Sequence, residues 1–309
     1  MKIAWLSYLD PHVFTGGGEL ANRTLIETGR RRGHEIAVSP WLRTRPQRVA
    51  RRLGLHRRVA VDWDADVFVL ANLRNQGARG DLFPERLVRR VLATGRAVVL
   101  ADAWVDICPL DLPCDGDVSR CPPACSKRWG NLLYGSARAA VFVSPMQRRL
   151  AEQVLDAELP RCVLYAPPTI DTDRFRPLGL ERDIDVLYVG TINEAKGYDN
   201  LIERFGASRL TFAGRNALGR EVEGTYLGPR PYEELPELYN RARTFAHLPR
   251  WNEPMGRTVV EAALCGCELV LNDRVGATSF PEADWRDPAR VRTNADRFWG
   301  GLEAEFASA

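Results

Sequence analysis

Two glutamates eight positions apart, Glu253 and Glu261, lie in the stretch NEPMGRTVVEAALCGCELVLNDRVG that runs from Asn252 to Gly276. Glu253 precedes Pro254, which pushes it out of the α region and into a loop. Pro254 suits a helix entry, where its missing N–H costs nothing. Met255–Leu264 then offers mostly good helix formers, Gly266 a stop, and Glu268–Leu271 a short buried strand. Amides of Met255, Gly256 and Arg257 at such a helix start form an anion site, and Gly256 admits a ligand close to the backbone. Glu261, about two turns further in, is better placed to accept hydrogen bonds from a vicinal diol such as a ribose. Glu253, in the loop, can accept from a second sugar. A surface helix with two solvated glutamates has the same pattern.

Other candidates are spread along the chain. Thr15-Gly16-Gly17-Gly18-Glu19 stands after the first strand pattern, at a helix entrance, where glycines let a phosphate or sugar approach the backbone. It is not the GxGxxG dinucleotide fingerprint. His12 lies in the same loop, and a capping or solvent-exposed role suits it best. Cys108, Cys114, Cys121 and Cys125 are spaced C-x5-C-x6-C-x3-C, without the CxxC knuckles of common zinc sites. Reduced thiols in an irregular loop are the leading expectation there, with a structural zinc or a disulfide pair as the alternatives. Cys265 and Cys267 read as packing residues at a helix end.

These residues need elements to hold them. Compact apolar runs read as strands at Lys2–Tyr8, Ile36–Ser39, Asp66–Ala71, Ala97–Ala101, Ala140–Ser144 and Cys162–Ala166, with helical patterns at Glu19–Arg32, Glu85–Ala93 and Pro145–Asp156. Pro167-Pro168 and a polar stretch mark a junction. A second series follows, with strands at Ile184–Gly190, Arg209–Gly214, Thr244–Leu248 and Glu268–Leu271. Its helices fall at Gly197–Phe205, Tyr232–Arg241, Met255–Leu264 and Ala295–Phe306. Such alternation predicts an α/β protein with parallel sheets covered on both faces. Two Rossmann-like domains, 1–167 and 168–309, facing across a cleft are expected, with ligands beyond the carboxyl ends of the strands.

Composition narrows the function classes. The chain has 309 residues, 45% hydrophobic and 27% charged, with a net charge of +3 that by itself indicates no nucleic-acid partner. No apolar run reaches the ~20 residues of a membrane span. MKIAWLSY enters a strand pattern without a signal-peptide core, so a cytoplasmic protein is expected. Arg43–Arg58 holds seven arginines, one histidine and no acidic residue. It can touch anionic lipid at the inner membrane face or a charged acceptor, or be a solvated basic face.

In this order the motifs resemble those of GT-B fold glycosyltransferases of the retaining family 4 group. The resemblance rests on Gly16-Gly17-Gly18-Glu19, on Arg32-Gly33-His34-Glu35, on Thr169-Ile170-Asp171-Thr172-Asp173-Arg174-Phe175-Arg176-Pro177, on Gly190 with Lys196-Gly197, and on Glu253 and Glu261 as an E-x7-E element enclosing Gly256. It implies transfer of a sugar, with retention, from a nucleoside-diphosphate sugar to an unknown acceptor, whether glycan, lipid-linked or small molecule. No cofactor or metal is implied beyond the donor substrate itself. Glu253 would bind the transferred sugar and Glu261 the ribose. Lys196 would neutralise the diphosphate as charge develops on the leaving group. Gly190, Thr191, Met255, Gly256, Arg257 and Thr258 would line the donor, and Gly16 and Gly17 would complete the cradle.

There are departures from the family pattern. Thr191 stands where many relatives carry an arginine, and Arg215 or Arg230 would have to substitute. Asp102 is kept as a catalytic candidate, but Ala101 replaces the histidine expected before it. The C-terminal segment often crosses back to the N-terminal domain in the family, which makes Trp299 and Phe306 candidates for that contact. A catalytically weak nucleotide-sugar-binding partner subunit and a nucleotide-sugar epimerase on the same fold are the alternatives.

Overall fold

The computed structural model describes residues 1–14, 16–42, 59–73, 83–108, 110, 112, 114–122 and 125–307. The basic stretch Arg43–Arg58 therefore lies outside the described residues. The chain divides into two compact units, Met1–Thr169 with Asn294–Ala309, and Ile170–Thr293.

The first unit is built on a six-stranded sheet in the order β2-β1-β3-β4-β5-β6, every neighbouring pair parallel. The strands are β1 Lys2–Leu9, β2 Glu35–Leu42, β3 Val67–Ala71, β4 Ala97–Ala101, β5 Ala139–Phe142 and β6 Cys162–Tyr165. β3 (VFVLA) and β4 (AVVLA) are apolar at every position and buried at every position, as strands covered on both faces must be. Helices α1 Gly17–Arg31, α2 Glu85–Leu92, α3 Arg128–Tyr134 and α4 Pro145–Val154 belong to this unit. Along α2, Val88, Val91 and Leu92 form the buried stripe. α4 begins where Ser144 Oγ accepts from Gln147 N at 3.1 Å, with Pro145 in the first turn.

The second unit carries a five-stranded parallel sheet in the order β11-β10-β7-β8-β9. Its strands are β7 Ile184–Val189, β8 Leu210–Ala213, β9 Thr225–Tyr226, β10 Ala242–His247 and β11 Glu268–Leu271. Its helices are α5 Tyr198–Phe205, α6 Leu235–Arg241, α7 Arg257–Leu264, α8 Ala283–Arg286 and α9 Pro288–Arg292. Tyr188, Ile192, Tyr198, Leu201, Phe212 and Ala246 share one core cluster. Strand order runs outward in both directions from β7, so β7 and β10 flank the switch point where such sheets bind ligands.

Three expectations need correction. The last helix, α10 Asn294–Ala307, packs in the first unit and not in a second domain running to residue 309. Trp299 is fully buried there, donating from Nε1 to Leu25 O at 2.8 Å. Phe306 lies beneath the Arg138 guanidinium, 4.5 Å from ring centroid to carbon. α7 starts at Arg257 and not at Met255, because Gly256 takes a left-handed conformation (φ 81°, ψ 54°) that breaks the helix just before it. The helix expected from Tyr232 opens as a 3-10 turn, Tyr232–Glu234, and becomes α-helical only at Leu235, with Pro236 in its first turn.

Candidate functional site

In the second unit the candidates gather at the carboxyl ends of β7 and β10. The loop after β7 brings Gly190, Thr191 and Lys196; the loop after β10 brings Trp251 and Glu253. Backbone bonds join the two loops, since Arg250 N donates to Ala195 O at 2.9 Å. Glu253 is pinned at both ends of its peptide, donating to Arg274 O at 2.8 Å and accepting from Gly276 N at 2.9 Å. Gly197 permits the close packing: it sits at φ +85°, and a Cβ there would stand 1.9 Å from Leu248 O.

Held this way, Lys196 Nζ forms an ion pair with Glu253 Oε2 and lies 4.7 Å from the centroid of the Trp251 ring. The two side chains are 24% and 15% exposed. His247, the last residue of β10, places Nε2 3.6 Å from the same Glu253 oxygen. Burial pushes the Glu253 carboxyl up, but the charge of Lys196, with the His247 ring alongside, outweighs it and holds it down to about 2. The carboxylate is therefore ionised at neutral pH and paired with a cation at the switch point.

Glu261 is placed differently from a solvated diol acceptor. It is 1% exposed and already has three donors. Oε1 accepts from Tyr232 Oη at 3.0 Å and Arg257 Nε at 2.9 Å, and Oε2 accepts from Tyr239 Oη at 3.2 Å. Burial raises its pKa, with Arg257 and the two phenols opposing. Gly256 and Thr258 flank Arg257 at the start of α7, and Met255 O accepts from Ala277 N at 2.7 Å. Arg215 is exposed and meets the β7 loop through its carbonyl, which accepts from Ile192 N at 2.9 Å. Thr191 O accepts from Tyr188 Oη at 2.9 Å. Arg230 faces Glu234 at 3.6 Å.

In the first unit, Gly16 caps α1 and Gly17 opens it, both exposed. The same helix brings Gly18 so close to Asp102 that a Cβ on it would meet Oδ2 at 2.6 Å. Asn22 of α1 donates to Asp102 Oδ2 at 2.7 Å, and Asn72, after β3 in a left-handed conformation (φ 44°), donates to Oδ1. Burial, followed by the charge of Glu19, pushes Asp102 up to about 7, with the two asparagines opposing. Asp102 can therefore hold or release a proton near neutrality. His12 is exposed, and its backbone N–H donates to Asp10 at 2.9 Å.

All seven cysteines are free thiols. Four of them stand as two contacting pairs, Cys114 with Cys121 at 3.3 Å and Cys108 with Cys125 at 3.7 Å. Burial and the neighbouring Cys108 push the Cys125 thiol up to about 12, which makes it a poor nucleophile. Among the described residues no group of three or more His, Cys, Asp or Glu side chains is set to hold a metal ion, and no helix is long and apolar enough to cross a membrane.

Sequence reasoning missed His247, Tyr232, Tyr239, Asn22 and Asn72. A signal existed for the tyrosines: their spacing of seven puts both on one face of a helical turn. His247 was readable as the residue that ends a strand at the ligand edge.

The family described as Glycosyl transferases group 1 matches residues 169–280, the segment that carries Lys196, Glu253 and Glu261. No curated protein matches the sequence. Among solved structures, sucrose-phosphate synthase from Thermosynechococcus elongatus is 15% identical with a TM-score of 0.62, covering 99% of this chain and 94% of that one. Anabaena HepE in complex with UDP is 18% identical with a TM-score of 0.58, covering 100% of both chains. The glycosyltransferase from Rickettsia africae is 12% identical with a TM-score of 0.56, covering 99% of this chain and 96% of that one. At these identities the likeness is one of fold, and the fold is that of the GT-B glycosyltransferases.

Proposed function

We propose that the chain is a glycosyltransferase that moves a sugar from a nucleoside-diphosphate sugar to an acceptor, with retention, as in family 4. The observation that carries this is the Lys196–Glu253 pair at the switch point of the second sheet, inside the segment that matches Glycosyl transferases group 1. A fixed cation beside a developing diphosphate charge lowers the barrier directly. Lys196 takes that role, and Glu253 accepts hydrogen bonds from the transferred sugar. Gly190, Thr191, Met255, Gly256 and Thr258 supply backbone and hydroxyl contacts to the donor. Arg215 or Arg230 stands in for the arginine that Thr191 replaces. Glu261 binds ribose by exchanging Tyr232 and Arg257 for the sugar hydroxyls.

The Ile170–Thr293 unit is the donor side, and the Met1–Thr169 unit, with Gly16, Gly17 and Asp102, the acceptor side. UDP is the first nucleotide to try, because Anabaena HepE is seen with UDP and with UDP-glucose. The protein acts in the cytoplasm, and Arg43–Arg58 supplies a peripheral contact with the inner membrane face.

One observation favours a second possibility, a weakly catalytic partner subunit that binds nucleotide sugars. Glu261 is buried with all its protein donors in place. A thermal-shift screen against UDP-, GDP-, dTDP- and ADP-sugars separates the outcomes. A raised melting temperature, followed by hydrolysis or transfer of the same sugar, supports the enzyme. A raised temperature with no turnover favours the subunit. No shift with any nucleotide sugar overturns both.

A further inference from the structure

His247 is a buried histidine to which donor binding assigns no task. It is 3% exposed, and its ring lies 5.8 Å from that of Tyr188 at a 30° tilt. Nε2 points at Glu253 Oε2, the oxygen that Lys196 holds. Nδ1 is buried with no protein partner among the described residues. That asymmetry selects a tautomer. A buried N–H without an acceptor is costly, whereas a bare lone pair is less so, so a ring carrying one proton carries it on Nε2, facing the carboxylate.

At 3.6 Å the Nε2···Oε2 contact is too long for a hydrogen bond while Lys196 occupies the oxygen. An approach of about 0.4–0.9 Å would make it one. The need arises when Lys196 turns to a diphosphate, because a buried carboxylate stripped of its cation is strongly disfavoured. We propose that His247 is a positioning residue that takes over Glu253 Oε2 when Lys196 leaves it, so that Glu253 stays ionised and aimed at the sugar. This rests on the donor-site role given above to Lys196 and Glu253.

The test uses three substitutions in the full chain. Glutamine reproduces the reach of Nε2; asparagine reproduces only that of Nδ1. His247→Leu is expected to lower kcat by about tenfold or more with donor KM within about twofold, since the contact forms only after Lys196 has moved. His247→Gln restores most of that loss and His247→Asn does not. Wild-type kcat in His247→Leu overturns the proposal, as does equal rescue by glutamine and asparagine. A second measurement needs no turnover. In urea unfolding, His247→Leu lowers the midpoint more in a Lys196→Met background than in the wild type, because the imidazole has then become the donor to Glu253. An equal or smaller drop overturns the proposal even if the enzyme is inactive. If no nucleotide sugar binds but the excess drop is present, the donor role fails while the histidine–carboxylate relation stands.

Discussion

Replacing Lys196 with methionine removes the cation from Glu253 while keeping most of the side-chain volume. The folded protein holds the Glu253 carboxyl at about 2 against an ordinary 4.5. That difference corresponds to roughly 3 kcal/mol of stability carried by the ionised form. Because the folded value is depressed, this stability is fully present above about pH 4.5 and is lost as pH falls through about 2. Breaking a buried ion pair from one side costs about 3–5 kcal/mol, and these partners, 15% and 24% exposed, belong at the low end. Lys196→Met should therefore cost about 3 kcal/mol at pH 7. The gap should shrink to about 1.4 kcal/mol by pH 3, where the wild-type carboxylate is only about one unit above its own titration. Urea unfolding of both proteins from pH 7.5 to 3 measures this. A gap that stays constant with pH, or no gap at pH 7, would refute an ion pair that stabilises the fold.

Three further outcomes are expected. Asp102, raised from 3.8 to about 7, favours the folded state only while protonated, so its contribution is present below pH 3.8 and lost as pH rises through about 7. Asp102→Asn should consequently gain stability on the wild type between pH 4 and 7, by up to roughly 4 kcal/mol; parallel urea midpoints across that range would contradict it. Tyr232→Phe removes one donor from Glu261 Oε1 and should tighten UDP binding by about fivefold, the worth of one hydrogen bond that ribose no longer has to displace; weaker binding by calorimetry would mean that the phenol itself holds the nucleotide. Trp299→Ala should destabilise the protein by about 3–5 kcal/mol in chemical denaturation, since the ring fills a slot at Gly29 where even a Cβ would stand 2.4 Å from it.

The two βα series were legible because β3 and β4 are uninterrupted apolar runs and β7 is apolar but for Asp185 near its start, the form that a buried parallel strand takes in sequence. Lys196 and Glu253 were legible as candidates from their motifs, but their ion pair was not. It depends on bonds between two loops 57 residues apart, which no local pattern encodes. Glu261 shows the limit most clearly. Its distance from the helix start suggested an open carboxylate, whereas its burial is decided by Tyr232, Tyr239 and Arg257. The start of α7 was misplaced for a conformational reason. Pro254 is a good entry residue, but Gly256 at positive φ interrupts the helix before it can form. The placement of α10 follows from packing of Trp299 against Gly29 and of Gly301 against Leu164, both far away in sequence.

That last helix also sets an order of events during synthesis. The second unit, Ile170–Thr293, is one uninterrupted segment and can close as soon as residue 293 has cleared the ribosome. The first unit cannot, although it begins at Met1. Trp299 and Leu302, both fully buried, are translated only after the whole of the second unit. Until they arrive, the slot at Gly29 and the apolar surface around it stay open. Of the two units, the one begun first is therefore completed second, and premature termination after residue 293 would release an intact second unit tethered to an unfinished first one.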